Sequence, residues 1–120
     1  MNQEAPFDLV HRTRSFALRI IRLYAALPKT TEAQVIGKQL LRSGTSVGAH
    51  YREGRRSRST AEFISKVEGG LQELDETMYS LELLIESGII KEERMKDICR
   101  ESNELMAILV ASAKTAKKRK

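Results

Sequence analysis

At 120 residues the chain has the length of one domain with one real core, and its net charge is only +5. With no tryptophan, three phenylalanines and three tyrosines, its core must be built mainly from Leu, Ile, Val and Ala, which suits helix on helix. A single cysteine excludes an intramolecular disulfide, and apolar runs such as Leu83-Leu84-Ile85 are far too short to span a bilayer, so a cytoplasmic protein without a membrane segment is expected.

Pro6 and Pro28 are the only prolines, so long uninterrupted helices are allowed. The first helix is predicted from Phe7 to Leu27, with Pro6 in the first turn and Pro28 as the stop. It carries two apolar stripes. Phe7, Val10, Ala17, Ile21 and Tyr24 form one, and Leu9, Phe16, Ile20, Leu23 and Leu27 the other, which calls for more than one packing partner. Its polar face holds Asp8, Arg12, Ser15, Arg19 and Arg22.

The second helix is predicted from Thr31, where Thr31-Glu-Ala-Gln34 has the form of a capping box, through Val35, Ile36, Leu40, Val47 and Tyr51 to Gly54. Its stretch Gln39 to Gly54 contains three glycines, each costing roughly 1 kcal/mol relative to alanine in a helix interior. Gly44 and Gly48 fall on one face, which implies a closely approaching neighbour. Gln39, Arg42, Ser43, Ser46 and Glu53 recur three, four or seven apart and read as a structural polar strip that sets helix register.

The third helix opens with the capping box Ser59-Thr-Ala-Glu62. Ile64, Val67, Leu71, Leu74, Met78, Leu81 and Ile85 then alternate spacings of 3 and 4, the seam of left-handed bundle packing. Gly88 is placed to end it in the left-handed conformation, with Ile89 or Ile90 closing the turn. The fourth helix is expected from Lys91 to Ala113, and Lys114 to Lys120 reads as a frayed basic tail. The domain layout is therefore a bundle over 1–113 and a tail over 114–120. Short connections between long helices predict an all-α, antiparallel up-down-up-down four-helix bundle.

Charge is unevenly placed. Residues 1–30 carry a net +3, 31–60 +4, 61–90 −6 and 91–120 +4. Such a pattern serves complementary packing as readily as an external ligand. No catalytic constellation is apparent. His11, His50 and Cys99 lie apart, with no ligand-spaced pair, no Glu-x-x-His pairs and no phosphate loop, so neither an enzyme nor a metal or cofactor site is expected. His50 reads as a hydrogen-bonded packing residue and Cys99 as a small buried hydrophobe.

The candidate nucleic-acid ligands are Arg52, Arg55, Arg56 and Arg58, then Arg12, Arg19 and Arg22. Arginine favours bidentate phosphate contact. Only Tyr51 is interleaved with the arginines, so a base-stacking platform is not expected, and binding would run through backbone phosphates. The alternative is that these arginines pair with Glu53, Glu62 or the third-helix acids of a neighbouring subunit.

The segment Arg42-Ser-Gly-Thr-Ser46-Val-Gly-Ala-His-Tyr-Arg-Glu53-Gly54, the Ala61-Glu62-Phe63-Ile64 start, Glu73-Leu74-Asp-Glu76-Thr77, Leu81-Glu82-Leu83 and Gly88-Ile-Ile90 resemble the bacterial four-helix-bundle family. That family is named after proteins encoded in intervening sequences of 23S ribosomal RNA genes. The resemblance covers about residues 10 to 113. It implies a homopentameric ring of bundles, and a related branch comprises accessory proteins of diversity-generating retroelements, basic pentamers that associate with a reverse transcriptase and with nucleic acid. The usual family motif has Asn where this chain has His50. The expectation is a non-enzymatic, homo-oligomeric scaffold binding nucleic acid, RNA first, or alternatively a protein-interaction module or accessory subunit of a reverse transcriptase.

Overall fold

The structure, a computed structural model, describes residues 8–119. Four α-helices follow one another: α1 (Leu9–Ala25), α2 (Thr31–Arg55), α3 (Thr60–Glu86) and α4 (Lys96–Lys118), the last preceded by a 3-10 turn at Glu92–Met95. Each helix packs on its neighbours in sequence, and α1 meets α4 more lightly. Pairings across the interfaces run in opposite directions. Arg42 meets Glu76 while Glu53 meets Lys66, and Glu68 meets Lys117. The helices therefore alternate up and down, as short connections require.

Helix starts follow side-chain chemistry. Asp8 caps α1 by accepting the His11 amide at 3.1 Å. The helix is described from Leu9, and the expected start near Phe7, with Pro6 in the first turn, lies outside the described residues. Thr30, not Thr31, caps α2, its hydroxyl accepting from the Ala33 amide at 3.3 Å. The extended backbone of Thr30 puts Ala33 at the third helical position, so the capping box read from Thr31 does not form. At α3 the box does form in spirit. Ser59 accepts from the Glu62 amide at 3.0 Å, and the Glu62 carboxylate accepts from the Arg58 amide at 2.9 Å. α3 ends as expected, with Gly88 at φ +80° and the Ile90 amide reaching back to the Leu84 carbonyl at 3.1 Å.

The core is aliphatic. Phe16, Ile20, Leu40, Val47, Val67, Leu74, Leu81, Leu84, Met95, Leu105 and Leu109 are almost wholly buried, each contributing about 1.5–3 kcal/mol by burial. The two α1 stripes are spent unequally: Leu9, Phe16, Ile20 and Leu27 of one are buried, whereas in the other Val10 and Tyr24 pack half-buried against the same core and Ile21 is exposed. Val35 of α2 is also exposed, because α1 crosses the other side of that helix. In α3 the seam holds at Ile64, Val67, Leu74 and Leu81, but Gly70, Thr77, Ser80 and Leu84 take the deepest remaining places while Leu71, Met78 and Ile85 are half-buried. At Gly70 and Thr77 the residue is small because α2 lies close: a Cβ on Gly70 would meet His50 and the Val47 carbonyl at 3.4 Å, and Thr77 bonds Ser43.

The glycines explain how α1 approaches α2. A Cβ on Gly44 would sit 2.9 Å from Ile20, and one on Gly48 would sit 2.8 Å from the Thr13 hydroxyl oxygen. The close neighbour expected of these two glycines is therefore α1. α4 runs on to Lys118 rather than stopping at Ala113, since Ala116 is buried and Lys117 pairs with Glu68 at 2.9 Å.

Candidate nucleic-acid interface

The alternation of the helices brings the C-terminal ends of α2 and α4 to the same end of the bundle, beside the starts of α1 and α3. The arginines near Gly54 and the basic residues after Ala113, far apart in the chain, become neighbours. Arg52 and Arg55 lie in the last turn of α2, Arg56 is its C-cap, and Arg58 precedes the Ser59 cap of α3. All four are exposed, and none makes an ion pair among the described residues. Basic residues in a last helical turn also offset the helix dipole, but that effect asks for one or two charges and does not gather charges from a second helix.

The turn that carries them is tightly held. The Ser57 amide and hydroxyl both donate to the Gly54 carbonyl, at 3.1 and 2.7 Å. Beside it opens a pocket of about 470 Å³, lined by Arg55, Arg58, Ser59, Phe63 and, from the end of α4, Arg119. The acids nearby are occupied. Glu53 pairs with Lys66 at 3.0 Å, a hydrogen bond that holds the Glu53 carboxyl below its ordinary range, and Glu62 accepts the Arg58 amide.

The other predicted arginines separate from this group. Arg12 reaches across to α4, pairing with Glu101 at 2.7 Å and Glu104 at 3.0 Å. The Glu101 hydrogen bond raises the Arg12 pKa, with burial working against it. Arg19 is half-buried along α1, and Arg22 is exposed near the opposite end of the bundle, roughly 15 Å along the helix from Arg12 at 1.5 Å per residue.

The polar strip of α2 is divided in the same way. Arg42 bridges Glu73 at 3.1 Å and also Glu76. Ser43 is buried, its hydroxyl 2.8 Å from that of Thr77. Glu53 binds Lys66, so three members tie α2 to α3. Ser46 instead donates to the Arg42 carbonyl of its own helix at 2.7 Å, and Gln39 is exposed. His50 lies against Gly69, where a Cβ would come 2.8 Å from its Nδ1. That nitrogen is buried with no hydrogen-bond partner among the described residues, and Nε2 stands 3.7 Å from Glu73. His50 is thus a packing residue without the hydrogen bond expected of it. Cys99 is half-buried, and burial, with Glu82 and Glu92 adding to it, pushes its thiol pKa up.

Arg119, one of the cations expected in a frayed tail, instead caps α4 beside the α2–α3 turn. Two members of the basic end were not legible in the sequence: Phe63 stood out only as part of a helix start, and Arg14, which lines a small groove with Arg52 between α1 and α2, had no local signal. The arginine-rich sequence of α1 marked the helix but not which of its arginines would stay near α2.

This geometry defines an all-α four-helix bundle with arginines gathered at one end. The sequence pattern of the family described as "23S rRNA-intervening sequence protein" matches residues 6–111, and the chain belongs to that family. It is also similar to a crystal structure from Bacteroides thetaiotaomicron, a protein of unknown function from the S23 ribosomal protein family. The two are 40% identical with a TM-score of 0.83, over 88% of this chain and 95% of the other. No curated protein matches the chain. No helix among the described residues is long and apolar enough to cross a membrane.

Proposed function

We propose that this chain is a non-enzymatic, homo-oligomeric scaffold that binds nucleic acid, RNA first, through the basic end formed by Arg52, Arg55, Arg56 and Arg58. One observation carries the reading. These four guanidiniums are exposed and lack ion pairs among the described residues, while Arg12 and Arg42 are both paired. Membership of a family named for 23S ribosomal RNA genes supports RNA over other polyanions. Binding of this kind is dominated by phosphate contacts and weakens steeply with salt.

Filter-binding titration against RNA and duplex DNA at rising salt tests it. Binding at low salt that is lost on replacing the four arginines with alanine is the expected result. Absence of binding, or binding indifferent to those changes, overturns the proposal.

Self-assembly has its own support. Arg14, Leu18 and Ile21 form an exposed stripe on α1, and Asp75, Tyr79, Glu82 and Glu86 form one on α3. Leu18 is 45% and Tyr79 62% exposed. One stripe is basic and apolar, the other acidic and aromatic. Two different complementary patches on one chain favour head-to-tail contacts, which close into rings when the rotation between neighbours divides a full turn. We take that ring to be the homopentamer implied by the family resemblance, and native mass spectrometry should find five subunits. A monomer at micromolar concentration refutes it.

The same stripes favour a second reading, in which the arginines serve the subunit contact or a protein partner such as a reverse transcriptase. If the four alanine changes dissolve the oligomer, that reading replaces the first.

A further inference from the structure

We propose that the pocket beside the α2–α3 turn holds one unpaired nucleotide of an RNA strand, with its phosphate on Arg55, Arg58 and Arg119 and its base against the ring of Phe63. The inference rests on the basic end being a nucleic-acid surface and adds the state of the strand it selects. The pocket is an open hollow of about 470 Å³, with room for one nucleotide.

Three guanidiniums reach its rim from three places: the last turn of α2, the connecting turn and the end of α4. None is ion-paired among the described residues. Phe63 supplies an aromatic wall. It is half-buried, and its ring is set by an edge contact with Tyr51, with centroids 6.4 Å apart and planes at 71°. Tyr51, the aromatic that the sequence interleaves with arginines, is itself buried and unavailable for stacking. Gly54 is buried against the start of α3, where a Cβ would come 3.2 Å from the Lys66 Cβ and 3.4 Å from the Phe63 ring.

Bases stack on exposed aromatic rings irrespective of sequence, but a base inside a duplex is already stacked and paired. A ring lining a cationic pocket therefore favours unpaired RNA over helical RNA.

The test is fluorescence anisotropy with a short unstructured RNA and its duplex at one salt concentration, on the full chain, Phe63→Leu and Arg119→Gln. The single strand should bind more tightly than the duplex. Phe63→Leu should weaken single-strand binding about tenfold, at the lower end of what stacking supplies, and leave duplex binding unchanged. Arg119→Gln, at an exposed site, should weaken both and flatten the salt dependence.

Phe63 also packs on Tyr51, so the unmodified protein is titrated as well, with adenosine monophosphate and with ribose 5-phosphate, by NMR. The amides of Gly54, Ser57 and Thr60 should respond more strongly to the nucleotide. Equal affinity for strand and duplex with no effect of Phe63→Leu, or equal amide responses to the two small probes, overturns the nucleotide pocket while leaving the basic-end reading intact. Binding indifferent to alanine at Arg52, Arg55, Arg56 and Arg58 removes the underlying reading instead.

Discussion

The middle of the α2–α3 hairpin and its closed end use the same residue types for opposite purposes. In the middle, Arg42 is held by Glu73 and Glu76, Ser43 by Thr77, and the His50 ring by Gly69. At the end, Arg52, Arg55, Arg56 and Arg58 face solvent without ion pairs among the described residues. The engagement of the nearby acids makes the difference. Arg42 lies opposite Glu73 and Glu76 and spends its charge inside the molecule, whereas the acids beside the end arginines, Glu53 and Glu62, are taken up by Lys66 and by the Arg58 amide. Arginine count alone therefore says little about binding, and the partners of the neighbouring acids say more.

If that comparison is right, changes at the two places should be felt in different measurements. Alanine at all four end arginines should lower RNA affinity about a hundredfold and flatten the salt slope by roughly three, while stability moves by less than about 0.5 kcal/mol. Titration beside thermal unfolding reads both, and a large loss of stability would erase the distinction. Gly44→Ala should do the reverse. Its Cβ enters the space of Ile20, whose branched side chain cannot swing away. A stability loss of about 1–3 kcal/mol is expected despite the better helix propensity of alanine, with RNA affinity unchanged.

Smaller effects sharpen the same line. Thr77→Val should cost roughly 1 kcal/mol in denaturant unfolding, because the Ser43 hydroxyl loses its partner at a fully buried position. Arg42→Ala should cost only about 0.5 kcal/mol, since the side chain is 55% exposed.

The smallest effects are chemical. Cys99, with its thiol pKa raised by burial, should alkylate more slowly than free cysteine at neutral pH and equalise with it after denaturation. Glu53 has a carboxyl pKa lowered by Lys66. A depressed carboxylate contributes stability above its unfolded pKa, about 4.3, and that contribution fades as pH falls through the lower folded value. A slight loss of stability on acidification below about pH 4.3, absent in Glu53→Gln, is the expected sign.

Much of the fold was legible in the chain. The 3-4 spacing from Ile64 to Ile85, the Ser59 cap and Gly88 placed α3 almost to the residue, because each signal is local and rests on backbone hydrogen bonding or helical period. Thr30 and Thr31 were not separable by such signals: either hydroxyl can cap, and the first turn chose by backbone geometry. The end of α4 was misjudged for a related reason. A run of lysines looks solvated, but Ala113 and Ala116 keep the buried stripe going and Glu68, on another helix, holds Lys117.

The site was legible by half. Arg52 to Arg58 could be named from their density alone, yet nothing local says that Arg12 meets Glu101, 89 residues away, or that Arg119 and Phe63 border the same pocket. By itself the sequence determined the four helices, most of their limits, the aliphatic core and the family, since periodicity, caps and glycine positions act over a few residues. Tertiary structure alone decided which arginines are neutralised, which apolar stripe of α1 is more deeply buried and which distant residues share the basic end. Those outcomes depend on side chains from different helices arriving at one place, and only the packing sets that distance.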